Sequence, residues 1–421
     1  MKDVRAVRVN KNAMPIDTIM SVPADVISAI DNNNRDTGLG KLTRNDSARE
    51  SGPDDQYKRA VQHEAPHSLT SPTSPAARVL AVLVNYNGGD MNFGAIDSLL
   101  NERCGAIVVM DNASTDGSPD RLAERYDGRI LLVRQSENTG FARACNAGAA
   151  LTDHEFVLFF NNDAIACNGM VAGMVTPMLA DPSIGITGPV VLEATRPDIV
   201  QSTGYTIDRW GFPFDRTCGL NVSELPPESA REAFFVSGCA MMVRRSVFQR
   251  LSGFDDDMFM FVEDVDLCWR AWLEGFRVVT LREPKCQHFG GATAEAGRRD
   301  GAYRTTSFRI REREKNTART MIVNLGGFNL AIYLLFFLPT TFAEALVWLF
   351  LGRVWVWSGY LDGFTLAIRN LRKTLMRRRL VQRSRRQPDS VVTRQWSSRY
   401  EKLFFALRNG IPVAARSNGS S

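Results

Sequence analysis

The sequence lacks closely spaced cysteines, and this absence argues against a fold stabilised by disulfides or by structural zinc. The seven cysteines are odd in number and form no C-x-x-C pair, so we expect neither a disulfide framework nor a structural zinc site. We therefore predict reduced thiols in a cytosolic protein. The N-terminus also lacks the apolar stretch of a secretory signal, so we expect no such signal.

The glycine-rich signatures of the common nucleotide folds are missing as well. No G-x-x-x-x-G-K-[ST] occurs, and no G-x-G-x-x-G follows the first predicted strand. These absences remove the P-loop and dinucleotide folds as first choices.

The net charge is only +5, and most of the basic excess lies near the C-terminus. We therefore expect a local basic tail and no nucleic-acid partner.

Changes of composition divide the 421 residues into four parts. Residues 1–76 are rich in Asn, Asp, Ser, Pro and Arg without a sustained apolar period, and we predict a disordered leader. Residues 77–325 have the patterning of one large α/β domain. A hydrophobic, membrane-associating segment is predicted over 326–370, and a basic tail over 371–421.

Short apolar runs alternate with amphipathic stretches at the start of the α/β domain. Four runs predict strands, over residues 79–84, 106–110, 130–133 and 156–160. The last run is too short for a typical helix and too apolar for a half-exposed strand, so we expect it to be buried on both faces. Alternating strands and helices with short loops predict a parallel sheet covered by helices.

Polar residues follow the carboxyl ends of these strands, at Asn85, Asp111, Gln135 and Asn161-Asn162-Asp163. Ligands bind at that edge of an open α/β sheet, so the set favours a nucleotide crevice over four unrelated loops. Asp111 can accept from a base imide N–H and from a ribose hydroxyl, because a carboxylate only accepts. The alternative is that Asp111 begins an Asx-turn or caps the next helix.

Arg143 and Asn146 are three residues apart in the third helical stretch and share one helix face. That face can present a cation and an amide to a diphosphate, although Arg143 as a solvated helix residue is the alternative. Asp163 at the end of the fourth strand is a candidate metal ligand, and the alternative is a solvated loop.

Eight motifs in order carry a family resemblance. They are Y-N-G-G (86–89), D-N-A-S-T-D-G-S (111–118), E-N-T-G-F-A-R-A-C-N-A-G (137–148), F-F-N-N-D (159–163), V-S-G-C-A (236–240), G-F-D (253–255), F-V-E-D-V-D-L-C-W-R (261–270) and H-F-G-G (288–291). Together they resemble inverting nucleotide-sugar glycosyltransferases of family 2 with a GT-A fold. Within that family they are most similar to rhamnosyltransferase-like members of bacterial polysaccharide biosynthesis.

The resemblance implies a Rossmann-like mixed, mostly parallel sheet covered by helices, a dTDP- or UDP-linked sugar donor, and a divalent cation, Mg²⁺ or Mn²⁺. It assigns donor binding to Tyr86, Asn87, Asp111, Asp116, Asn138, Gly140, Arg143, Asn146, Asn161 and Asn162. It assigns the metal to Asp163 and His288. The sequence departs from the family at its aspartate-x-aspartate motif, which is Asn161-Asn162-Asp163 here. We expect Asp163 to bind the cation with help from donor phosphates, since magnesium is often held by one or two carboxylates plus phosphates.

A second carboxylate cluster, Glu263, Asp264 and Asp266, opens a helical stretch that we expect to run to residue 273. The helix dipole stabilises ionised carboxylates there, so they are available proton acceptors. By resemblance Asp264 is the catalytic base and the other two carboxylates support it. Asp266 and Arg270 are four residues apart and are expected to pair. The alternative is a cluster that only caps the helix.

Residues 330–351 form a 22-residue apolar run that contains Pro339 and Glu344 and is long enough to span a bilayer. A single crossing would separate the basic run of residues 369–386 from the catalytic domain, although both belong in the cytosol. We therefore predict a re-entrant or in-plane segment broken at Pro339, or a hairpin whose second span is 354–368. A buried pair of core helices is the alternative.

The favoured function is transfer of a sugar, with rhamnose the best candidate, to a saccharide or lipid-linked glycan at the cytoplasmic face of the bacterial cytoplasmic membrane. A loop over residues 201–219 is expected over the acceptor side. It contains the aromatic segment 210–214, called the aromatic loop below, whose rings either stack on sugar or fill the core. One rival is a sugar-nucleotide pyrophosphorylase, but residues 85–90 lack the Gly- and Lys/Arg-rich loop that such an enzyme needs. Another is a catalytically weak, membrane-tethered sugar-nucleotide-binding protein.

Overall fold

The structure is a computed structural model that describes residues 74–228, 230–290, 297–299, 302–409 and 413–414. All but the last three residues of the predicted leader, most of the C-terminal dozen residues and Gly291 of the H-F-G-G motif lie outside the described residues. The predicted division at 325/326 falls in the short link between two helices that end at Asn324 and begin at Gly327.

The first half of the domain alternates strands and helices as predicted. Its elements are β1 (Val79–Asn85), α1 (Met91–Asn101), β2 (Ala106–Asp111), α2 (Ser118–Arg125), β3 (Leu131–Arg134), α3 (Phe141–Ala149) and β4 (Phe156–Phe160). These strands pair in parallel in the order β4-β1-β2-β3, and Asn85 lies beside Asp111 in register. All five residues of β4 are buried, which confirms the expectation of a strand covered on both faces.

The second half extends the sheet on its other side. Its elements are β5 (Ala164–Ala166), α4 (Met170–Ala180), β6 (Ile184–Glu193), β7 (Arg196–Ser202), β8 (Thr206–Ile207), β9 (Pro213–Phe214), β10 (Ala230–Glu232), β11 (Ala240–Arg244), α5 (Arg245–Arg250), α6 (Glu263–Glu274) and β12 (Arg277–His288). The full order is β10-β12-β6-β11-β4-β1-β2-β3, and β11 runs antiparallel to both β4 and β6. The sheet is therefore mixed, as the GT-A prediction requires, but only its first half is uniformly parallel.

Alternate residues of the central strands supply two apolar layers, one on each face of the sheet. Leu80 and Val82 of β1 pack with α3 and α6 on one face. Ala81 and Leu83 pack with α1 and α4 on the other. This alternation follows from the two-residue period of a strand, and it holds the strand ends of the site edge in a fixed frame.

A helical region completes the described chain. After the short strands β13 (Gly297–Arg299) and β14 (Ala302–Thr305) come α7 (Ser307–Asn324), α8 (Gly327–Phe350), α9 (Val354–Arg369), α10 (Leu371–Ser384), α11 (Ser390–Thr393), α12 (Glu401–Asn409) and β15 (Val413–Ala414). Helix α7 contacts α6, and both α9 and α10 pack on α7.

The predicted break at Pro339 is wrong, because α8 continues through it from Gly327 to Phe350. Proline removes one backbone donor and crowds the preceding turn. The Thr340 hydroxyl donates to the Phe336 carbonyl oxygen at 2.7 Å and so adds a hydrogen bond in the affected turn.

Candidate active site

The ends of β1 and β2 are joined by a buried amide. Asn85, which is fully buried, donates from Nδ2 to Asp111 Oδ1 at 2.7 Å and to Ser118 Oγ at 2.9 Å. The other Asp111 oxygen accepts from the Ser114 backbone N–H at 3.2 Å. The Asx-type contact expected as the alternative for Asp111 is therefore present, and it fixes the carboxylate at the predicted nucleotide edge.

The loops after β1 and β2 hold each other through two further polar residues. Asn87 Oδ1 accepts from the Thr115 backbone N–H at 2.8 Å, and Asp116 Oδ2 accepts from the Gly89 N–H at 2.9 Å. Burial alone would raise the pKa of Asp116, but hydrogen bonds from Ser118 and Gly89 outweigh it and lower the pKa. Asp116 therefore stays ionised in this loop. Tyr86, in the loop after β1, is half-buried.

Gly88 brings the first loop against the end of β4. A Cβ atom at this position would lie 2.2 Å from Asn162 Nδ2 and 2.8 Å from Asn85 Oδ1. A side chain at residue 88 would displace these buried amide groups, so glycine lets the backbone approach Asn162 closely. The Y-N-G-G and F-F-N-N-D motifs thus meet in space, as the predicted sheet edge requires.

The loop before α3 is tied to the loop before α6. Asn138 Oδ1 accepts from the Gly140 N–H at 3.0 Å, and the next amide, Phe141 N–H, donates to the Phe259 carbonyl oxygen at 2.7 Å. Gly140 has φ 86°, and a Cβ there would lie 2.4 Å from the same Phe259 oxygen. Glycine is required at this contact by both its conformation and the space.

Arg143 and Asn146 share a helix face as predicted, but that face contacts protein. Asn146 donates to the Phe254 carbonyl oxygen and accepts from the Phe254 N–H, at 3.0 and 2.9 Å. Arg143 Nε donates to the Asp256 carbonyl oxygen at 2.9 Å. The two side chains fix the loop that leads into α6, and their predicted role at the donor diphosphate stays a prediction.

Asp163 and His288 lie side by side, both buried. Strand β5 pairs antiparallel with the end of β12, so Ala164 is opposite His288 and brings Asp163 Oδ1 to 3.1 Å from His288 Nε2. Gln201 Oε1 lies 3.1 Å from the other ring nitrogen. Burial opposes protonation of the ring, but the charge of Asp163 outweighs it and raises the pKa of His288 to about 9.

This pair suits one divalent cation. Neighbouring ligand atoms of an octahedral ion bound at about 2.1 Å lie about 3 Å apart, close to the observed oxygen–nitrogen separation. Within the described residues no group of three or more His, Cys, Asp and Glu side chains could hold a metal. Asp163 and His288 fit as two protein ligands of such an ion once His288 loses its ring proton, because only the neutral imidazole binds a metal.

Asp264 and Glu263 form a buried carboxyl pair at the start of α6. Asp264 Oδ2 accepts from the Gly238 N–H at 2.9 Å, and Oδ1 accepts from the Val265 N–H at 2.8 Å. Burial raises the pKa of Asp264 to about 6 against these two hydrogen bonds. Glu263 Oε2 is buried without a hydrogen-bond partner among the described residues, and burial together with the Asp264 charge raises the pKa of Glu263 to about 8. Near neutral pH, Asp264 is ionised and Glu263 is protonated.

A strained turn precedes this pair. Phe261 and Val262 both have left-handed backbone angles, with φ of 68° and 72°, which bulky and β-branched residues rarely adopt. The buried Asn316 of α7 donates to the Met260 and Phe261 carbonyl oxygens at 2.8 and 2.9 Å and holds the turn. Strain of this kind persists only where the surroundings enforce it, and it concentrates at functional sites. Sequence reasoning missed Asn316 because it lies far along the chain and matches no motif.

Asp266 does not share the site of Asp264. Its predicted pairing with Arg270 is confirmed, with Oδ2 at 2.7 and 2.8 Å from two guanidinium nitrogens, and its other oxygen accepts from Asn324 at 2.8 Å. Residues two apart on a helix point about 200° apart, so Asp264 and Asp266 face different surroundings. We predicted that Asp266 supports the base. In the structure its carboxylate instead joins α6 to α7.

The aromatic loop, residues 210–214, packs into the protein. Trp210 and Tyr400 have ring centroids 4.9 Å apart, and Phe212 and Phe405 lie 5.7 Å apart. The loop lines a cavity of about 110 Å³ that contains none of the predicted site residues. These contacts favour the core-filling alternative for the loop.

Known proteins are similar to this chain over the part that carries the first half of the sheet. Residues 81–252 match the family described as Glycosyl transferase family 2. An N-acetylglucosaminyl-diphospho-decaprenol L-rhamnosyltransferase of Mycobacterium tuberculosis is 27% identical over 231 residues, which are 49% of this chain and 74% of that protein. A dTDP-rhamnosyl transferase of Shigella flexneri is 24% identical over 215 residues, 50% of this chain and 69% of that protein.

Among solved structures, a mannosyltransferase of Pyrobaculum calidifontis in complex with GDP-Man and Mn²⁺ covers 77% of this chain and 92% of its own. It is 18% identical, with a TM-score of 0.43.

Proposed function

Because residues 81–252 of this chain are a family 2 glycosyltransferase domain, we propose that the glycosyltransferase inverts the anomeric centre of a nucleotide-diphosphate sugar, with Asp264 as base. One observation carries the proposal. The Gly238 N–H binds Asp264, and the carbonyl oxygen of the next residue, Cys239, accepts from the Asn161 N–H at 2.9 Å. The base and the Asn161-Asn162-Asp163 edge are thus bonded to two consecutive residues.

Asp264 accepts the proton of the acceptor hydroxyl as that oxygen attacks the anomeric carbon. The C–O bond to the nucleotide diphosphate breaks as the new glycosidic bond forms, and the diphosphate leaves with the electron pair. A base with a pKa near 6 is mostly ionised at neutral pH and still takes up a proton readily. Protonated Glu263 adds no second negative charge beside it.

Asp163 and His288 are the residues that would hold a divalent cation, Mg²⁺ or Mn²⁺. When bound, such an ion offsets the charge that develops on the leaving diphosphate. The other contacts to the nucleotide sugar are proposed for the residues at the sheet edge. Asp111 accepts hydrogen bonds from the nucleobase and the ribose, and Asp116, Asn138 and their neighbours shape the loops. The remaining residues of this edge are Tyr86, Asn87, Gly140, Asn161 and Asn162.

Rhamnose is the proposed sugar because both relatives described above are named as rhamnosyltransferases. One of their names specifies a dTDP-linked donor, and the other a diphospho-decaprenol acceptor. We accordingly propose a dTDP- or UDP-linked donor and a saccharide or lipid-linked glycan acceptor. The site of action is the cytoplasmic face of a bacterial cytoplasmic membrane, where such donors and acceptors meet.

The test is a donor panel with the purified full chain, Mn²⁺ and a lipid-diphosphate sugar acceptor, scored for released nucleotide diphosphate and for the anomeric configuration of the product. We expect one rhamnosyl donor to be consumed with inversion, and Asp264→Asn to abolish the release. Retention of configuration, or donor binding without turnover across the whole panel, would overturn the proposal.

A further inference from the structure

The structure contains an apolar helix, α8, that is long enough to cross a bilayer and largely uncovered by protein. Among the described residues it is the one helix that passes this test by length and composition, yet only 22% of its most apolar 18-residue window is buried. The low burial of α8 does not fit the alternative of a buried pair of core helices. At about 1.5 Å per residue its 24 residues would span the hydrocarbon layer.

One face of α8 packs on the protein over the middle of the helix. Tyr333, Phe337, Thr341 and Ala345 are its buried residues, spaced at four-residue intervals. The acidic residue within the run, Glu344, accepts from Tyr360 at 2.6 Å and lies 3.0 Å from Lys402 Nζ. The helix thus lies along the domain, and its one carboxylate is paired within the protein.

Both ends of α8 are also fixed to the same catalytic body. At the start, the Gly326 N–H and Asn329 Nδ2 donate to Asp389 at 2.9 and 2.6 Å. At the end the chain turns into α9, which packs closely on α7. A Cβ at Gly359 would lie 2.9 Å from the Ser307 carbonyl oxygen. This tight contact keeps α9 against α7, a helix that carries many charged residues.

We infer that α8 lies in the plane of the membrane and does not cross it. Spanning would require its two ends to lie about 30 Å apart on opposite membrane faces, but both are tied to one domain. A hairpin with α9 as its second span is excluded by the packing of α9 on α7. This inference deepens the membrane association in the proposed function and rests on that part of it.

The outer surfaces of the helices supply the membrane contact, which we call the docking face. It comprises the exposed residues Phe328, Leu335 and Phe342 of α8, and Val354, Leu361 and Ile368 of α9. Each set recurs at seven-residue intervals, and Phe328 is 80% exposed. Apolar side chains at such intervals lie on one side of a helix and can enter the acyl boundary together.

Helix α10 identifies the occupant as an anionic lipid surface. Its exposed residues mix the apolar Leu375, Met376 and Leu380 with the basic Arg379 and Arg383. No ion pair joins either of these arginines to a carboxylate among the described residues. Interfacial helices combine apolar and basic residues in this way, and the basic residues bind anionic headgroups. A purely apolar protein partner would leave these charges unmatched.

Vesicle sedimentation of the full chain tests the docking face without requiring activity. We expect stronger binding to vesicles of equal phosphatidylcholine and phosphatidylglycerol than to phosphatidylcholine alone. Leu335→Ser with Phe342→Ser should weaken binding about tenfold or more, because two exposed apolar side chains lose their burial in lipid. Arg379→Gln with Arg383→Gln should remove most of the preference for anionic lipid. Leu179→Ser, at an exposed leucine of α4 outside the face, is the matched control and should bind as wild type.

The in-plane orientation is tested by a protease site inserted at Gly352, in the turn between α8 and α9. The turn adjoins Val354 of the docking face, so protease protection is combined with an alkaline wash. Protein bound to preformed vesicles should be released by that wash. Protection of the site in protein that the wash does not release would mean that α8 crosses the bilayer and would overturn the inference. So would absence of vesicle binding, wild-type binding by the Leu335/Phe342 variant, or a stable dimer that covers the face in the presence of vesicles. Since no sugar donor is present, these results are independent of failure in the donor panel.

Discussion

At the scale of single residues, the proposed chemistry depends on two carboxyl groups, Asp264 and Glu263. Burial raises the pKa of both, but to different extents. Asp264 accepts two backbone hydrogen bonds, which limit the rise of its pKa to about 6. Glu263 Oε2 lacks a comparable bond, and burial with the Asp264 charge raises the pKa of Glu263 to about 8. The ionised form of one group therefore coexists with the protonated form of the other between these values.

Asp264→Asn should lower kcat by about a hundredfold to ten-thousandfold, the usual contribution of a positioned base. Glu263→Gln imitates the protonated side chain and should keep kcat near pH 7 within about threefold of wild type.

For wild type, kcat/KM should rise as the pH increases through about 6, because Asp264 must lose its proton to act as a base. Steady-state rates across pH 5 to 8 measure this. A flat profile over that range would contradict the role of Asp264.

Asp163→Asn should abolish cation-dependent donor binding, since it removes the one carboxylate of the Asn161-Asn162-Asp163 edge. His288→Ala should weaken Mn²⁺ affinity about tenfold or more, because it removes a ligand atom 3.1 Å from that carboxylate. Calorimetric titration of Mn²⁺ with and without nucleotide diphosphate measures both effects. The matched control is Asp97→Asn, whose carboxylate pairs with Arg125 on the surface of α1. Unchanged Mn²⁺ affinity in His288→Ala would remove His288 from the metal site.

At the scale of elements, α7 is the helix that positions the catalytic turn. Three side chains on it donate towards α6 and the loop before it. Asn316 binds the strained turn, Arg319 donates to Asp255 at 2.8 and 3.0 Å, and Asn324 donates to Asp266. These contacts join α7 to the start of α6, where the proposed base Asp264 lies, and both helices follow the matched region 81–252.

Asn316→Ala should lower kcat about tenfold to a hundredfold, since small displacements of a base have effects of this size. The KM for the sugar donor should change little, because the side-chain hydrogen bonds of Asn316 go to the turn. The change should also shift the acidic limb of the pH profile, which a purely structural effect on stability would not do. Asn329→Ala removes an amide at the start of α8 and serves as the control. Equal kcat values for the two variants would contradict the positioning role.

The contact between α9 and α7 makes a stability prediction. Gly359→Ala places a Cβ 2.9 Å from a backbone oxygen and should destabilise the fold by about 1–3 kcal/mol through overpacking. Gly327→Ala is the matched control, because a Cβ there meets nothing within 4 Å. Chemical denaturation of both variants measures the difference. Equal midpoints would show that α9 is not held closely on α7.

At the scale of the whole molecule, the sheet that carries the candidate site and the C-terminal helices form one connected body. The site edge is fixed by a sheet buried on both faces, α7 leads from the base to the helical region, and α8 lies along its outside. Packed helices thus connect the candidate site to the proposed docking face. An in-plane anchor therefore suits an enzyme whose proposed acceptor is attached to a lipid.

The sequence by itself determined the features that have a local pattern. Alternating apolar runs predicted β1 to β4 with ends within one residue, because the period of a strand and the composition of its loops are short-range. The four polar strand ends followed from the same pattern. The i,i+4 spacing of Asp266 and Arg270 likewise predicted their ion pair.

Only the tertiary structure decided the contacts between distant segments. Three hydrogen bonds join residues 26 to 58 positions apart. Gly238 donates to Asp264, Asn316 donates to the strained turn, and Asn324 donates to Asp266. The inference that α8 lies in the membrane plane likewise rests on the contacts at its two ends, and the composition of α8 does not predict these contacts. Such contacts arise from the packing of the complete chain, so no local period or spacing could have revealed them.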